Sequence, residues 1–332
     1  MRDMKKWVAD VIASPKKQAV PVLSFPSVQL MGVSVKDLVS DSAVQARGMI
    51  EVAKRCPTGA SLSMMDLSVE AEAFGAAVKF SEDEIPVIVG SIVNTKEDAA
   101  ALVTPEVGAA RTGVYVAAIE KAAQEIQDRP VLAGCIGPLS LCSRLLDMSQ
   151  LLVNCRRAPE INHIVLEKAT EFLIRYAKSF KEVGANGIVI AEPVAGLVSP
   201  KVMKEFSAKY CKRIVDEVQD DSFIVIYHNC GEAVPKMVPE IIEIGAAGVH
   251  FGDAVQMAEL VEQFPADVLV MGNISPVHCF LNGSVESMKQ ATAELLERCG
   301  KHPNFVISSG CDIPPTTPWE NIDAFFEVVE AG

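Results

Sequence analysis

The sequence predicts a single (β/α)₈ barrel, and three observations predict it. Eight short apolar runs recur along the 332 residues, and most are followed by a longer stretch with helical spacing. None opens into the strand–GxGxxG–helix turn of a nucleotide-binding open sheet. The runs are continuous rather than alternating, as expected of strands covered on both faces. With 49% hydrophobic and 22% charged residues, the chain has ample material for a large core and is too apolar to be disordered.

The elements follow in order. The opening MRDMKKWVADVIASPKK reads as an amphipathic helical extension with Trp7, Val8, Val11 and Ile12 on one side. It has no 7–15-residue apolar run and so does not read as a signal peptide. The first strand is expected at 21–25 (PVLSF), followed by a helix over 36–55, and the second at 60–66 (ASLSMMD). Residues 67–110, including EDEIPVIVGS, break the rhythm and are expected to form an inserted subregion near the barrel mouth, within one domain spanning 1–332. A helix over 111–127 leads to the third strand at 131–137 (VLAGCIG). A helix over 159–183 leads to the fourth at 187–193 (GIVIAEP), and one over 200–219 to the fifth at 223–229 (FIVIYHN). The remaining strands are expected at 247–253, 268–274 and 305–311, with helices at 234–244, 254–263, 284–299 and 318–329. Local signals agree with these bounds. Ser199 before Pro200 suits an N-cap with proline at the first helical position. Thr317-Pro318-Trp319-Glu320 has capping-box spacing. Gly184 and Gly245 follow helical runs, where a left-handed residue is wanted.

Thirty basic against forty-three acidic side chains give a net charge of −13, which argues against nucleic acid or an anionic membrane as the main partner. No apolar stretch of about 20 residues suggests a transmembrane helix. Nine scattered cysteines, odd in number, fit a reducing cytoplasm better than a disulfide framework. A homodimer is compatible with the composition, without any residue that demands it.

In barrels of this kind the reactive groups gather at the C-terminal ends of the strands. The expected strands deliver Asp66, Glu192, His228, Cys230, Asp253, Asn273 and Cys311 to that rim. His228 and Cys230, two apart in extended chain, point to one face, and Cys311 ends the last strand 81 residues later. One imidazole and two thiolates suit Zn²⁺ and leave one tetrahedral position open, the mark of a catalytic site rather than a structural one.

The segments IYHNCG, SSGCDIPPTTPWENI, EPVAGLVSPKVMKEF, CIGPLSL, GNISPV and MMDLSVEAEAFGAAVKF resemble the uroporphyrinogen decarboxylase superfamily. More narrowly they resemble its zinc-dependent, corrinoid-linked methyltransferase branch, typified by methylcobamide:coenzyme M methyltransferases. The resemblance runs from about Pro21 to Phe326. It implies a barrel with an H-x-C…C zinc motif, landing here on His228, Cys230 and Cys311. The metal-free decarboxylases carry an N-terminal arginine motif that clamps substrate carboxylates; the matching stretch here, VLSFPSVQLMGV, has no arginine. The resemblance therefore implies methyl transfer between methylcobalamin and a zinc-activated thiol such as coenzyme M. The chain lacks a D-x-H-x-x-G corrinoid-ligating motif, so the corrinoid is expected on a partner protein.

Other residues receive roles on this reading. Glu192 is expected as a displaceable fourth zinc ligand or as a base for the thiol, and Asn273 as a hydrogen-bonding group for substrate or ligand. Asp66, Glu72 and Asp253 are candidates for substrate binding, while His250 with Asp253 is placed behind His228 as an orienting pair. Glu70 is read with Glu72 as a solvated helix face. Three alternatives stay open: a demethylase that loads the corrinoid from a methylated, for example methoxylated, small molecule; a tetrapyrrole decarboxylase; and a non-catalytic module that binds a corrinoid.

Overall fold

The computed structural model describes residues 2–332. Its centre is a curled, all-parallel sheet of seven strands in sequential order: β1 (Ser61–Leu62), β4 (Val131–Ile136), β5 (Gly187–Ala191), β6 (Ile224–Asn229), β7 (Gly248–Phe251), β8 (Leu269–Ile274) and β9 (Phe305–Ser309). Between β1 and β4 a separate antiparallel hairpin, β2 (Ala77–Lys79) with β3 (Val87–Val89), stands apart from this sheet. The eighth strand expected at 21–25 does not form a ladder. In its place, residues 18–20 run between the two sheet edges: Val20 donates its N–H to Ile307, Ile307 donates to Gln18, and Gly59, just before β1, donates to Ala19. On the β1 side Pro21 has no N–H to continue the pairing, and on the β9 side the Val22 N–H goes to Ser309 Oγ instead of a backbone carbonyl, so the strand ends where the sequence reading began it. The barrel is thus closed by a single bridge.

Two apolar layers fill the structure. Inside the barrel, Val20, Val22, Leu132, Ile226, Met271 and Val306 interdigitate, and Met4, Val8 and Val11 of the N-terminal helix Met4–Ala13 pack against them from below. Outside it, the helices bury their faces against the sheet. Alternate residues of the same strands enter different layers, which is why the strand sequences are apolar throughout.

Several elements depart from expectation. The helix predicted over 36–55 is two, Val35–Ser40 and Ser42–Arg55, because the Asp41 side chain accepts from the N–H groups of Ala43 and Val44 and restarts the helix there. Two helices not anticipated, Pro138–Leu146 and Met148–Arg157, follow β4 and meet at Asp147, whose φ of 112° breaks the run. Thr317 makes no capping bond, and its hydroxyl is buried without a partner. Ser199 does cap, and Gly184 and Gly245 take positive φ.

The loops after β5 and β6 are locked together through two glycines. A Cβ on Gly231 would lie 2.4 Å from the Gly196 Cα, and one on Gly196 would lie 2.5 Å from the Gly231 Cα. Only glycine permits this approach. Gly231→Ala is therefore expected to cost about 1–3 kcal/mol by overpacking and to lower the thermal midpoint by a few degrees. An unchanged melting curve would refute the contact.

Candidate functional site

β6 ends in His228 and Asn229 and is followed directly by Cys230, while β9 is followed by Gly310 and Cys311. This brings one ligand atom from each of His228, Cys230 and Cys311 within 4.8 Å of the others, with His228 Nε2 3.7 Å from Cys311 Sγ. The turn carrying Cys230 is held by Asn229, whose Oδ1 accepts from the Gly231 N–H at 3.0 Å and whose Nδ2 donates to Tyr227 Oη.

A chain of four hydrogen-bonding groups fixes the imidazole. The Val20 carbonyl only accepts, so the Ser308 hydroxyl donates to it, at 2.7 Å. Ser308 Oγ therefore accepts from His250 Nε2–H, at 2.9 Å. Burial, reinforced by the neighbouring His228, holds the His250 pKa well below its ordinary value, so that ring is neutral and its Nδ1 is bare. It accepts from His228 Nδ1–H at 2.6 Å. His228 is left with a lone pair on Nε2, aimed at the two sulfurs, which is the tautomer a metal ligand needs. Between the cysteines, a hydrogen bond from Cys311 stabilises the Cys230 thiolate and brings its pKa down to about 4; the same contact, with burial, pushes the Cys311 thiol up. The donor set, neutral imidazole and paired sulfurs at borderline-soft positions, fits Zn²⁺.

The three residues open onto a cavity of about 450 Å³ at the barrel mouth. Met65 and Leu67 from the loop after β1, Ile85 to Ile88 of the hairpin, and Arg144 complete much of its wall. Arg144 and Asp312 were not singled out from sequence. Arg144 is hidden within an amphipathic helix (SLCSRLL), and Asp312 stands beside a cysteine that drew the attention. Asp312 accepts from the Met65 N–H at 2.9 Å, its other oxygen has no partner, and burial pushes its carboxyl up to about 7.

The remaining sequence candidates are elsewhere. Glu192 is fully buried and turned away from the cluster: it accepts from Leu139 N–H at 2.7 Å, from Ser140 N–H at 3.2 Å and from Ser140 Oγ at 3.0 Å. It caps the helix Pro138–Leu146, whose N-cap, Gly137, has no side chain to do so. The reading of Glu192 as fourth ligand or base is corrected accordingly. Asp66 and Glu72, expected to bind substrate, are bound by Arg111, which donates to each at 2.6 Å; Tyr115 also donates to Asp66. Glu70 is not solvated: it is buried and accepts from the Ile136 N–H. Asn273 gives both N–H groups of its amide to the carbonyls of Gly252 and Val255, bracing the loop after β7. With Asp253, which is exposed, it lines a different cavity, so neither faces the three-residue cluster. Of the orienting pair expected behind His228, only His250 is in place.

Burial pushes the Glu192 carboxyl up to about 7, against the hydrogen bonds from Leu139 and Ser140 that pull it down. Between the unfolded value of 4.5 and about 7 the folded state holds a proton that the unfolded chain has released. That stabilisation is complete below the unfolded value and is lost as pH rises through 7. The stability difference between wild type and Glu192→Gln, measured by urea unfolding, is expected to shift by roughly 3 kcal/mol between pH 5 and 8 in favour of the variant. A pH-independent difference would refute the assignment.

Comparison with known proteins places this geometry. The uroporphyrinogen decarboxylase (URO-D) family model matches residues 6–332. Methylcobamide:CoM methyltransferase MtbA of Methanosarcina acetivorans is 25% identical over 266 residues, 79% of this chain and 76% of the relative. A uroporphyrinogen decarboxylase of Carboxydothermus hydrogenoformans is 26% identical over 292 residues, 84% of this chain and 80% of that one. Among solved structures, a methyltransferase from Methanosarcina mazei superposes with a TM-score of 0.89 at 22% identity, covering 100% of this chain and 99% of that one, and shares the fold. With the family model spanning nearly its whole length, the chain belongs to the uroporphyrinogen decarboxylase family.

Proposed function

We propose that this protein is a zinc-dependent methyltransferase that moves a methyl group between a corrinoid carried by a partner protein and a small thiol such as coenzyme M. The observation that carries this reading is the His228–Cys230–Cys311 cluster facing a cavity at the barrel mouth. Both methyltransferases and decarboxylases stand among the relatives. A tetrapyrrole bears several carboxylates, whereas Arg144 is the only Lys or Arg lining this cavity among the described residues. That favours methyl transfer.

His228, Cys230 and Cys311 would hold the metal, which when bound keeps an incoming thiol in its thiolate form at neutral pH. The chain's own part is orientation. His250 holds the His228 ring in one tautomer, and the two cysteinates balance the metal's charge, so a bound thiolate keeps its nucleophilicity. The apolar walls around Met65, Leu67 and Ile88 keep water from the sulfur. In the transfer a sulfur–carbon bond forms as the carbon–cobalt bond breaks. The corrinoid would leave with the bond pair, and the thiol proton would pass to solvent. No helix among the described residues is long and apolar enough to cross a membrane.

Elemental mass spectrometry of protein purified without added metal should give about one zinc per chain. Cys311→Ser is expected to lose that zinc and the methylation of thiols by methylcobalamin while keeping the wild-type circular dichroism. Full metal and activity in the variant would remove the central claim. His250→Ala should weaken zinc binding about 10- to 100-fold in competition with a chelator, because the His228 ring loses the acceptor that fixes it. Unaltered zinc affinity would show that the relay does not orient the ligand.

A further inference from the structure

Among the described residues β8 sends no side chain to the three-residue cluster or to its relay, yet its last two residues hold the segments on either side. Asn273 gives both N–H groups of its amide to the carbonyls of Gly252 and Val255, each at 2.9 Å, so one side chain clasps the loop after β7 at both ends. Ile274, the next residue, accepts the Gly310 N–H at 2.7 Å, one position before Cys311. The clasped loop touches both cysteine-bearing segments. A Cβ on Gly252 would lie 2.7 Å from the Cys230 Cα and Cβ, and a Cβ on Gly310 would lie 2.7 Å from the Asp253 nitrogen. At such spacings backbone rests on backbone, with no flexible side chain between to absorb a shift. The loop is therefore a wedge with Cys230 on one flank and the residue before Cys311 on the other, and its position sets how far apart the two sulfurs stand. The same clasp occurs twice more: Asn304 donates to Pro265 and Val268, and Asn321 to Phe280 and Gly283. Neither of those braced segments lines the cluster or its cavity.

We propose that Asn273 is a positioning residue for the metal site: by clasping Gly252 and Val255 it holds the wedge against which Cys230 and Gly310 pack, and so sets the separation of the two thiolate ligands. This rests on the reading of His228, Cys230 and Cys311 as metal ligands. Zn–S bonds of about 2.3 Å in a tetrahedral site leave little latitude in that separation. An alanine at 273 removes both donors and frees the loop. An aspartate of the same shape turns oxygen lone pairs on the two carbonyls, so it distinguishes the need for donors from the need for bulk.

The test compares wild type, Asn273→Ala and Asn273→Asp with two controls, Asn304→Ala and Asn321→Ala, each of which loses the same pair of hydrogen bonds elsewhere in the fold. Zinc affinity is read by competition with a chelator, and site geometry by the visible absorption of the Co²⁺-substituted protein. Asn273→Ala is expected to weaken zinc binding about 10-fold or more, and Asn273→Asp at least as much, both with an altered cobalt spectrum. The controls should lower the melting midpoint while keeping the wild-type zinc affinity and spectrum. The spectrum is read from folded, metal-loaded molecules, so a general loss of stability does not move it. If the alanine variant fails to fold, Asn273→Ser, which keeps one donor, takes its place with a smaller change in the same direction. Wild-type affinity and spectrum in the Asn273 variants, or equal changes in the controls, would overturn the role of Asn273 and leave the metal reading standing. If wild type takes up neither zinc nor cobalt, that reading fails, and dibromobimane, which bridges neighbouring thiols, decides the role of the wedge on metal-free protein. Slower bridging of Cys230 to Cys311 in Asn273→Ala than in wild type and the controls, followed by peptide mass spectrometry, supports it, and equal rates overturn it.

Discussion

The hydrogen-bonded series Val20–Ser308–His250–His228 is the constraint on which the site depends. It crosses the barrel interior from the segment that closes the sheet, through β9 and β7, to the end of β6. Its polarity has one solution, because it begins at a carbonyl that only accepts and passes through a ring too buried to carry charge. Each member is at most 2% exposed, so water does not compete for any of the bonds. The bridge that closes the barrel and the tautomer of a ligand are therefore set by one device. A shift of the 18–22 segment relative to β9 would be felt at His228 Nε2.

Much of the polar rim serves to hold the scaffold rather than to touch substrate. Glu192 supplies the acceptor that a helix beginning Gly-Pro lacks. Arg111 gathers Asp66, Glu72 and Ser68, and its guanidinium also lies over the ring of Phe80, the residue that follows β2, tying the loop after β1 to the hairpin. Asn273 braces the loop after β7. These buried groups are expensive to leave unpaired, and each is satisfied by a backbone or side-chain partner that only the fold brings near.

The same point separates what was legible in the sequence from what was not. The barrel was legible because strands buried on both faces leave continuous apolar runs, and His228, Cys230 and Cys311 were legible because strand ends and the H-x-C spacing mark them. Glu192, Asp66 and Asn273 carry the same local signature, a polar residue ending an apolar run. What distinguishes them is a partner far away in sequence: Leu139 for Glu192, Arg111 for Asp66. Spacing along the chain holds no record of such pairings. The first strand failed for a local reason, since proline at 21 was counted for its apolarity and not for its missing donor. Arg144 went unseen because one arginine in an amphipathic helix has the pattern of any solvated face.

The hairpin β2–β3 pairs only with itself, yet its turn and β3 supply Ile85 to Ile88 to the wall facing the three-residue cluster. The reactive end of the pocket is thus built by the barrel, and part of its opposite wall by a module with no backbone ladder to the barrel. Among the described residues, neither the parallel-strand register nor the His250 relay includes a residue of that module. Such a division lets a lineage try new small molecules against an unchanged reaction centre, and it gives a protein engineer the same freedom.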